Sequence, residues 1–421
     1  MWKSNIRLVF VELSTGLTRP ITTTIFLFII YLYIRSAHMK FSINRSVFIQ
    51  NLTDVQRAVS SRTTIPVLTG VKISAKEEGI YLTGSDATIS IEAFIDAKDD
   101  DNKLKIENTG DIVIPSRFLG EIVKKLPSDI MNVEVIDNFQ TEITSDRASF
   151  KLKGVNGNEY PRLPEIDAKQ TYILPTDTFK QVVNQTIISV SNQEIRPIFT
   201  GIHFEIGNDE LKAVATDSHR LSQRIMPLTM PENAGDQVLD INIPGRSLQE
   251  LIRIVGNNED IEMMVTDNQV LFKARNIYLY SRLLEGNYPN TDRLLPTEHS
   301  TTIEVAASEL VNAVERALIL SHEGKNNVVR LTITADDIVL SSQSAEVGNV
   351  EESIKVVKAE GDSLEISFNP DYLREALKSF GQQNVSIGFQ SPSHPFTLLP
   401  SDQTDNFNFV QLITPIRTPR A

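Results

Sequence analysis

Asp217, Ser218 and His219 set an acid, a hydroxyl and an imidazole side by side, the three groups of a nucleophilic hydrolase. Such triads draw their members from separate elements, because neighbours in sequence cannot converge on one substrate atom. No Gly-x-Ser-x-Gly elbow accompanies them, nor a Walker A loop, a Gly-x-Gly-x-x-Gly turn or a His-Glu-x-x-His helix. The six histidines, at 38, 203, 219, 299, 322 and 394, lack metal-ligand spacing. Asp96, Asp99, Asp100 and Asp101 lack the glycine and spacing of a calcium loop and are expected at a solvated hairpin tip. Cysteine is absent, which removes thiolate metal sites and disulfides. These residue types point to no reaction, no metal and no cofactor.

The elements that would position any site fall in two parts. Residues 1–38 carry Lys3, Arg7, Arg19 and Arg35 against Glu12, a net +3 that leaves −16 on the rest of a chain whose total is −13. Their uncharged run, 21–34, is short of the roughly 20 residues that a spanning helix needs. We expect 1–38 to lie outside the fold as a non-native upstream extension, in preference to a membrane or signal anchor. With 41% apolar and 23% charged residues, the remainder reads as ordinary globular protein.

That remainder repeats itself. One helical pattern recurs as Phe48, Leu52, Val55 and Val59, then Phe179, Val183, Ile187 and Val190, then Leu310, Val314, Ala317 and Leu320. A second recurs in 114–126, 243–255 and 368–380, with Pro115, Pro244 and Pro370 at or beside each start. Alternating hairpins recur at 70–88, 201–219 and 327–345, and Tyr160-Pro161 and Tyr288-Pro289 close the first two units. Three units follow, about 39–165, 166–297 and 298–421. Each holds two helices and many antiparallel strands, an α+β layer with helices on one sheet face. Tandem copies of such a unit tend to curve, and a rotation that closes makes a ring.

The three-fold repeat, the opening Met39-Lys40-Phe41, the run Ala213 to Leu221 with its Asp-x-His-Arg-Leu, and the ending Thr414-Pro415-Ile416-Arg417 resemble the bacterial DNA polymerase III β subunit family, the sliding clamps. The likeness spans 39–421. It implies three tandem clamp units with antiparallel sheets outside and two helices per unit inside. Two chains then close head to tail around duplex DNA as a non-catalytic processivity factor. Implied partners are the replicative polymerase α subunit, the clamp-loader complex and other clamp-motif proteins, in the cytoplasm.

Acid on a DNA-encircling protein then needs an account. The six implied lining segments, 47–62, 115–126, 178–192, 244–255, 308–325 and 370–381, net +4, which leaves −20 elsewhere in 39–421. The basic residues on these segments include Arg117, Lys124, Lys125, Arg246 and Arg253. Arg62, Gln193 and Arg196 match positions where the family contacts DNA, each with a solvated surface residue as its plain alternative. A few sequence-independent phosphate contacts suit sliding.

By the same resemblance, partners insert a Gln-Leu-x-Leu-Phe motif between the second and third units. The matching groove residues are Phe199, Thr216, His219, Arg220, Leu221, Pro289, Arg293 and Leu294. From the last unit come Tyr372, Ser393, Pro395, Leu412, Thr414, Pro415, Ile416 and Arg417. Thr414 and Ile416 replace methionines of the better-known tail, and Phe199 stands where leucine is common, so motif preference is expected to differ. For Leu221 and Leu412 the alternative is strand core. The family's dimer joint maps to Phe150, Leu152, Ile319 and Leu320, whose alternative is monomer core. A membrane-tethered peptide-binding adaptor is the rival reading; it would use 1–38 but leaves the charge sorting unexplained.

Overall fold

A computed structural model describes residues 38–166, 170–231, 238–296, 298–322, 327–344, 346–402 and 409–417. The expectations for 1–37 and for the tail beyond Arg417 lie outside the described residues. The chain divides into two compact units, Met1–Leu163 and Pro164–Ala421.

In the first unit, Asn44 caps helix α1, Arg45–Gln56, by accepting the Ser46 N–H, and Phe48, Leu52 and Val55 form its buried stripe. Helix α2, Ser116–Lys124, starts after Pro115 and buries Leu119, Gly120 and Val123. Gln56 ties the two helices, donating to the Ser116 carbonyl at 2.7 Å. One sheet runs Lys105–Asn108, Lys40–Asn44, Ile130–Ile136, Gln140–Ser145, Ala148–Lys153 in spatial order. Beside it, Val155–Asn156, Gly110–Pro115, Gly70–Lys76, Gly79–Ser85 and Ile89–Asp96 pair in that order. In Ile89–Asp96 every second residue is buried, as a strand with one covered face requires.

The second unit holds α3 (Thr176–Thr186), α4 (Gly245–Ile254), α5 (Ala307–Ser321) and α6 (Pro370–Lys378). Its central sheet places Leu239–Pro244, Gly201–Gly207, Glu210–Thr216 and Arg220–Pro227 beside Phe409–Ile413, Phe396–Pro400, Asn384–Phe389, Thr301–Ala306 and Lys358–Gly361. The pairing of Arg220–Pro227 with Phe409–Ile413 is the seam between the second and third repeats. A smaller sheet runs Gly348–Ser353, Ile338–Ser344, Val329–Ile333, Leu364–Phe368. The repeat is geometric as well as sequential. The three hairpins pair antiparallel, with Lys72↔Thr83, His203↔Val214 and Arg330↔Ser341.

Three expectations need correction at the helix ends. Helix α3 stops at Thr186 and leaves Ile187 and Val190 half-buried beyond it. Helix α1 stops at Gln56, so Val59 is half-buried and Arg62 stands in the loop beyond it. Within that loop the Ser60 hydroxyl accepts the Arg62 N–H at 3.1 Å, a local side-chain-to-backbone bond in place of a helical one. In α5 the fourth buried position is Leu318, while Leu320 is only half-buried. The acidic run behaves as expected of a hairpin tip: Asp96 accepts the Lys98 N–H at 2.9 Å and Asp99 the Asp101 N–H at 3.0 Å.

Gly84 sets how closely α1 approaches its sheet, since a Cβ there would lie 2.3 Å from the Val55 carbonyl oxygen. That atom is backbone and cannot swing aside. Gly84→Ala is therefore expected to destabilise the first unit by about 1–3 kcal/mol, read as a lower denaturation midpoint with an unchanged slope.

A candidate peptide groove and cation-bearing helices

The seam strands bring Leu221 directly opposite Leu412, and Arg220 opposite Ile413. Leu221, Leu412 and Val214 form a small buried cluster of their own, with Tyr288 and Leu295 packed on it. Tyr288 is held from both sides. Phe199 meets its ring edge-on at 5.8 Å, and His203 stacks on it at 4.5 Å. Burial pushes the Tyr288 phenol above its ordinary range, against a smaller opposing effect of the Thr216 backbone.

The rim is polar. Asp217 Oδ1 accepts the N–H groups of His219 at 2.9 Å and Arg220 at 3.0 Å, with Ser218 at φ 78°. Thus the acid–hydroxyl–imidazole run builds a tight Asx turn. Arg220 donates from Nε to Asp217 Oδ2 at 3.0 Å and pairs with Glu375 on α6. Its guanidinium also lies 4.5 Å from the centre of the Tyr372 ring. The His219 carbonyl accepts from Thr414 twice, at 2.9 Å from the backbone N–H and 2.7 Å from the hydroxyl. Thr216 donates to the Arg220 carbonyl at 2.7 Å. Ile416 is anchored through its N–H to the Ser367 carbonyl at 2.7 Å, with Pro415 between it and Thr414.

Other predicted groove residues sit on flanking segments. Pro289, Arg293 and Leu294 are exposed on the stretch that carries Tyr288 and Leu295. Ser393 and Pro395 precede Phe396, whose register partner is Ile413, and Arg417 is exposed at the end of the described tail. Val214, Tyr288 and Leu295 belong to this cluster although the sequence did not single them out beside Leu221 and Leu412. The signal was present in the recurring Tyr-Pro pair. In the first unit Tyr160 likewise packs with Leu68 and Val113, and Asp86 repeats the turn by accepting from Thr88 and Ile89 at 2.9 and 3.0 Å.

The cations divide by how they are held. Arg117 and Lys124 are exposed on α2 and Lys125 at its C-cap, 3.8 Å from Glu121. Arg246 and Arg253 are exposed on α4, and Arg253 donates to Glu250 at 2.8 Å. Lys180 on α3 is committed to the Gly256 carbonyl at 2.7 Å and Asn257 at 2.8 Å. Arg62, Gln193 and Arg196 are exposed in loops that follow α1 and α3. No group of three or more acidic, histidine or cysteine side chains able to hold a metal occurs among the described residues.

Three tandem α+β repeats, with a cross-strand leucine pair under an aromatic cover at one seam, define the DNA-clamp class of fold. Three family descriptions match in order: DNA polymerase III beta subunit N-terminal domain over 39–164, central domain over 173–290 and C-terminal domain over 292–417. The beta sliding clamp of Bacillus subtilis strain 168 is 44% identical over 384 residues, covering 90% of this chain and all of that protein. That of Streptococcus pneumoniae TIGR4 is 43% identical over 380 residues, covering 90% of this chain and 99% of that one. The crystal structure of the Bacillus subtilis DNA polymerase sliding clamp superposes with a TM-score of 0.86 at 44% identity, covering 91% of this chain and 100% of that one. The chain belongs to the DNA polymerase III beta subunit family, the β sliding clamps.

Tyr288 covers the Leu221–Leu412 pair, so its removal should cost more than its phenol alone. Tyr288→Ala is expected to lower second-unit stability by about 2–4 kcal/mol, and Tyr288→Phe by under about 1 kcal/mol. Chemical denaturation of both variants checks this.

Proposed function

We propose that this chain is a sliding clamp: two copies close head to tail around duplex DNA and tether the replicative polymerase to its template. The observation that carries the reading is kinship across 90% of the chain, three clamp domains in order at 44% identity to a relative covered end to end. The role is non-catalytic, as the resemblance implies. Domain limits of 39–165, 166–297 and 298–421 divide the ring into six units, sheets outside and helices inside.

Arg62, Arg117, Lys124, Lys125, Gln193, Arg196, Arg246 and Arg253 supply the DNA-facing contacts. Exposed cations on helices, with acid concentrated elsewhere, hold DNA through phosphates without reading sequence. Retention then comes from topology. Phe150, Leu152, Ile319 and Leu320 lie at the joint between copies.

The groove over Leu221 and Leu412 receives the apolar residues of a partner's linear motif, while Arg220, His219 and Thr414 orient it. The polymerase α subunit, the clamp loader and other clamp-motif proteins compete for it, in the cytoplasm. The adaptor reading is not favoured, because the curated relatives and family models that match across 39–417 are those of sliding clamps.

Two measurements test this. The protein loaded on nicked circular DNA should be retained and should be lost when the circle is linearised; retention on linear DNA would reject a topological clamp. In a peptide titration, Leu412→Ala is expected to weaken a Gln-Leu-x-Leu-Phe peptide by about tenfold or more, with DNA retention unchanged. An unchanged peptide affinity would remove the groove assignment and leave the clamp.

A further inference from the structure

The segment between α3 and the strand Gly201–Gly207 reaches two places at once. Its tip, 192–197, is exposed throughout and carries Gln193 and Arg196. Its base is closed by a backbone bond from the Ser191 N–H to the Phe199 carbonyl at 2.8 Å. Inside the loop, the Ser191 hydroxyl accepts the Gln193 N–H at 3.1 Å. Phe199 donates its own N–H to the Arg196 carbonyl at 3.0 Å. Ile195, at the tip, is 86% exposed, so packing holds that end little. A segment tied at its base and open at its tip belongs to the low-stability end of a fold.

Both ends of this loop bear on the Leu221–Leu412 pair. At the exit, the Phe199 ring meets Tyr288 edge-on at 5.8 Å, and Tyr288 packs on the two leucines. At the entry, the Ser189 hydroxyl shares a hydrogen bond with that of Ser222 at 2.6 Å. Ser222 donates to the Gln411 side chain, which in turn donates to the Gln185 carbonyl at 2.8 Å. Ser222 and Gln411 adjoin Leu221 and Leu412 in sequence and face one another across the same strand pair. Successive strand residues point to opposite faces, so this polar chain underlies the leucines that Tyr288 covers. Ser189, Ser222 and Gln411 are each at most 2% exposed, which fixes the loop entry to the seam.

Phe199 is then the adjustable part of the wall. It is half-buried, and its backbone is set by the bonds to Ser191 and Arg196 that also set the tip. A phosphate held at Arg196 restrains the same short stretch of chain that carries the ring.

We propose that DNA at the loop tip and a peptide in the groove favour one another through this loop. Contact at Gln193 and Arg196 orders the loop and the Phe199 ring with it, so the peptide no longer has to order that wall itself. This rests on the clamp reading above and adds to it a coupling between its two ligands. Such coupling is reciprocal: the factor by which duplex tightens the peptide is the factor by which the peptide tightens duplex. Ser191 and Phe199 are its positioning residues. Copies on DNA then attract partners more strongly than free copies do.

Anisotropy of a labelled Gln-Leu-x-Leu-Phe peptide titrated with the full-length protein tests this, with and without a saturating short duplex able to thread a closed ring. The wild-type protein is expected to bind the peptide about fivefold or more tighter when duplex is present. Phe199→Ala removes the ring, and Ser191→Pro removes the N–H that closes the loop. Each is expected to abolish most of that difference at saturating duplex. A wild-type peptide affinity that bound duplex leaves unchanged or weakens overturns the proposal and leaves the clamp reading intact. So does a full difference in either variant. A wild-type protein that takes up no duplex overturns the clamp reading itself.

Discussion

The edges of β-sheets are the constraint on which the rest of this molecule depends. A terminal strand presents a row of backbone N–H and C=O groups that either find a partner strand or invite an uncontrolled one. In the central sheet of the second unit, Arg220–Pro227 and Phe409–Ile413 solve this for one pair of repeats. The same pairing sets Leu221 beside Leu412 on the sheet face away from the helices, under Tyr288 and Leu295. This cluster is a consequence of joining repeats, which is why its residues come from sequence positions nearly two hundred apart.

Helix faces and sheet faces then divide the remaining chemistry. Each helix spends its apolar stripe on the sheet beneath it, as Leu119 and Val123 do in α2 and Leu248 and Leu251 do in α4. The opposite faces keep Arg117, Lys124, Arg246 and Arg253 in water. Exposed charges of this kind add little to stability, so their concentration on helices in a chain of net charge −13 is better explained by what those faces meet. Screening by salt makes such contacts adjustable and weak, which matches a protein held by shape.

Much of this was legible in the sequence because periodicity records burial. The Phe48, Phe179 and Leu310 phases, the three hairpins and the α+β layer follow from alternation and helical spacing alone. What was not legible depends on register. Nothing local tells that Leu221 faces Leu412, since that pairing is fixed by two strands from different repeats. Tyr288 was visible as half of a recurring Tyr-Pro pair, yet its role as cover for the leucines appears only once Phe199 and His203 are seen to hold its ring. Arg62 was placed on a helix because no apolar break announces its end; the helix stops at Gln56, and Arg62 lies in the loop beyond, where the Ser60 hydroxyl accepts its N–H. Asp217, Ser218 and His219 looked like chemistry and proved to be turn geometry, which one residue type serves as readily as the other.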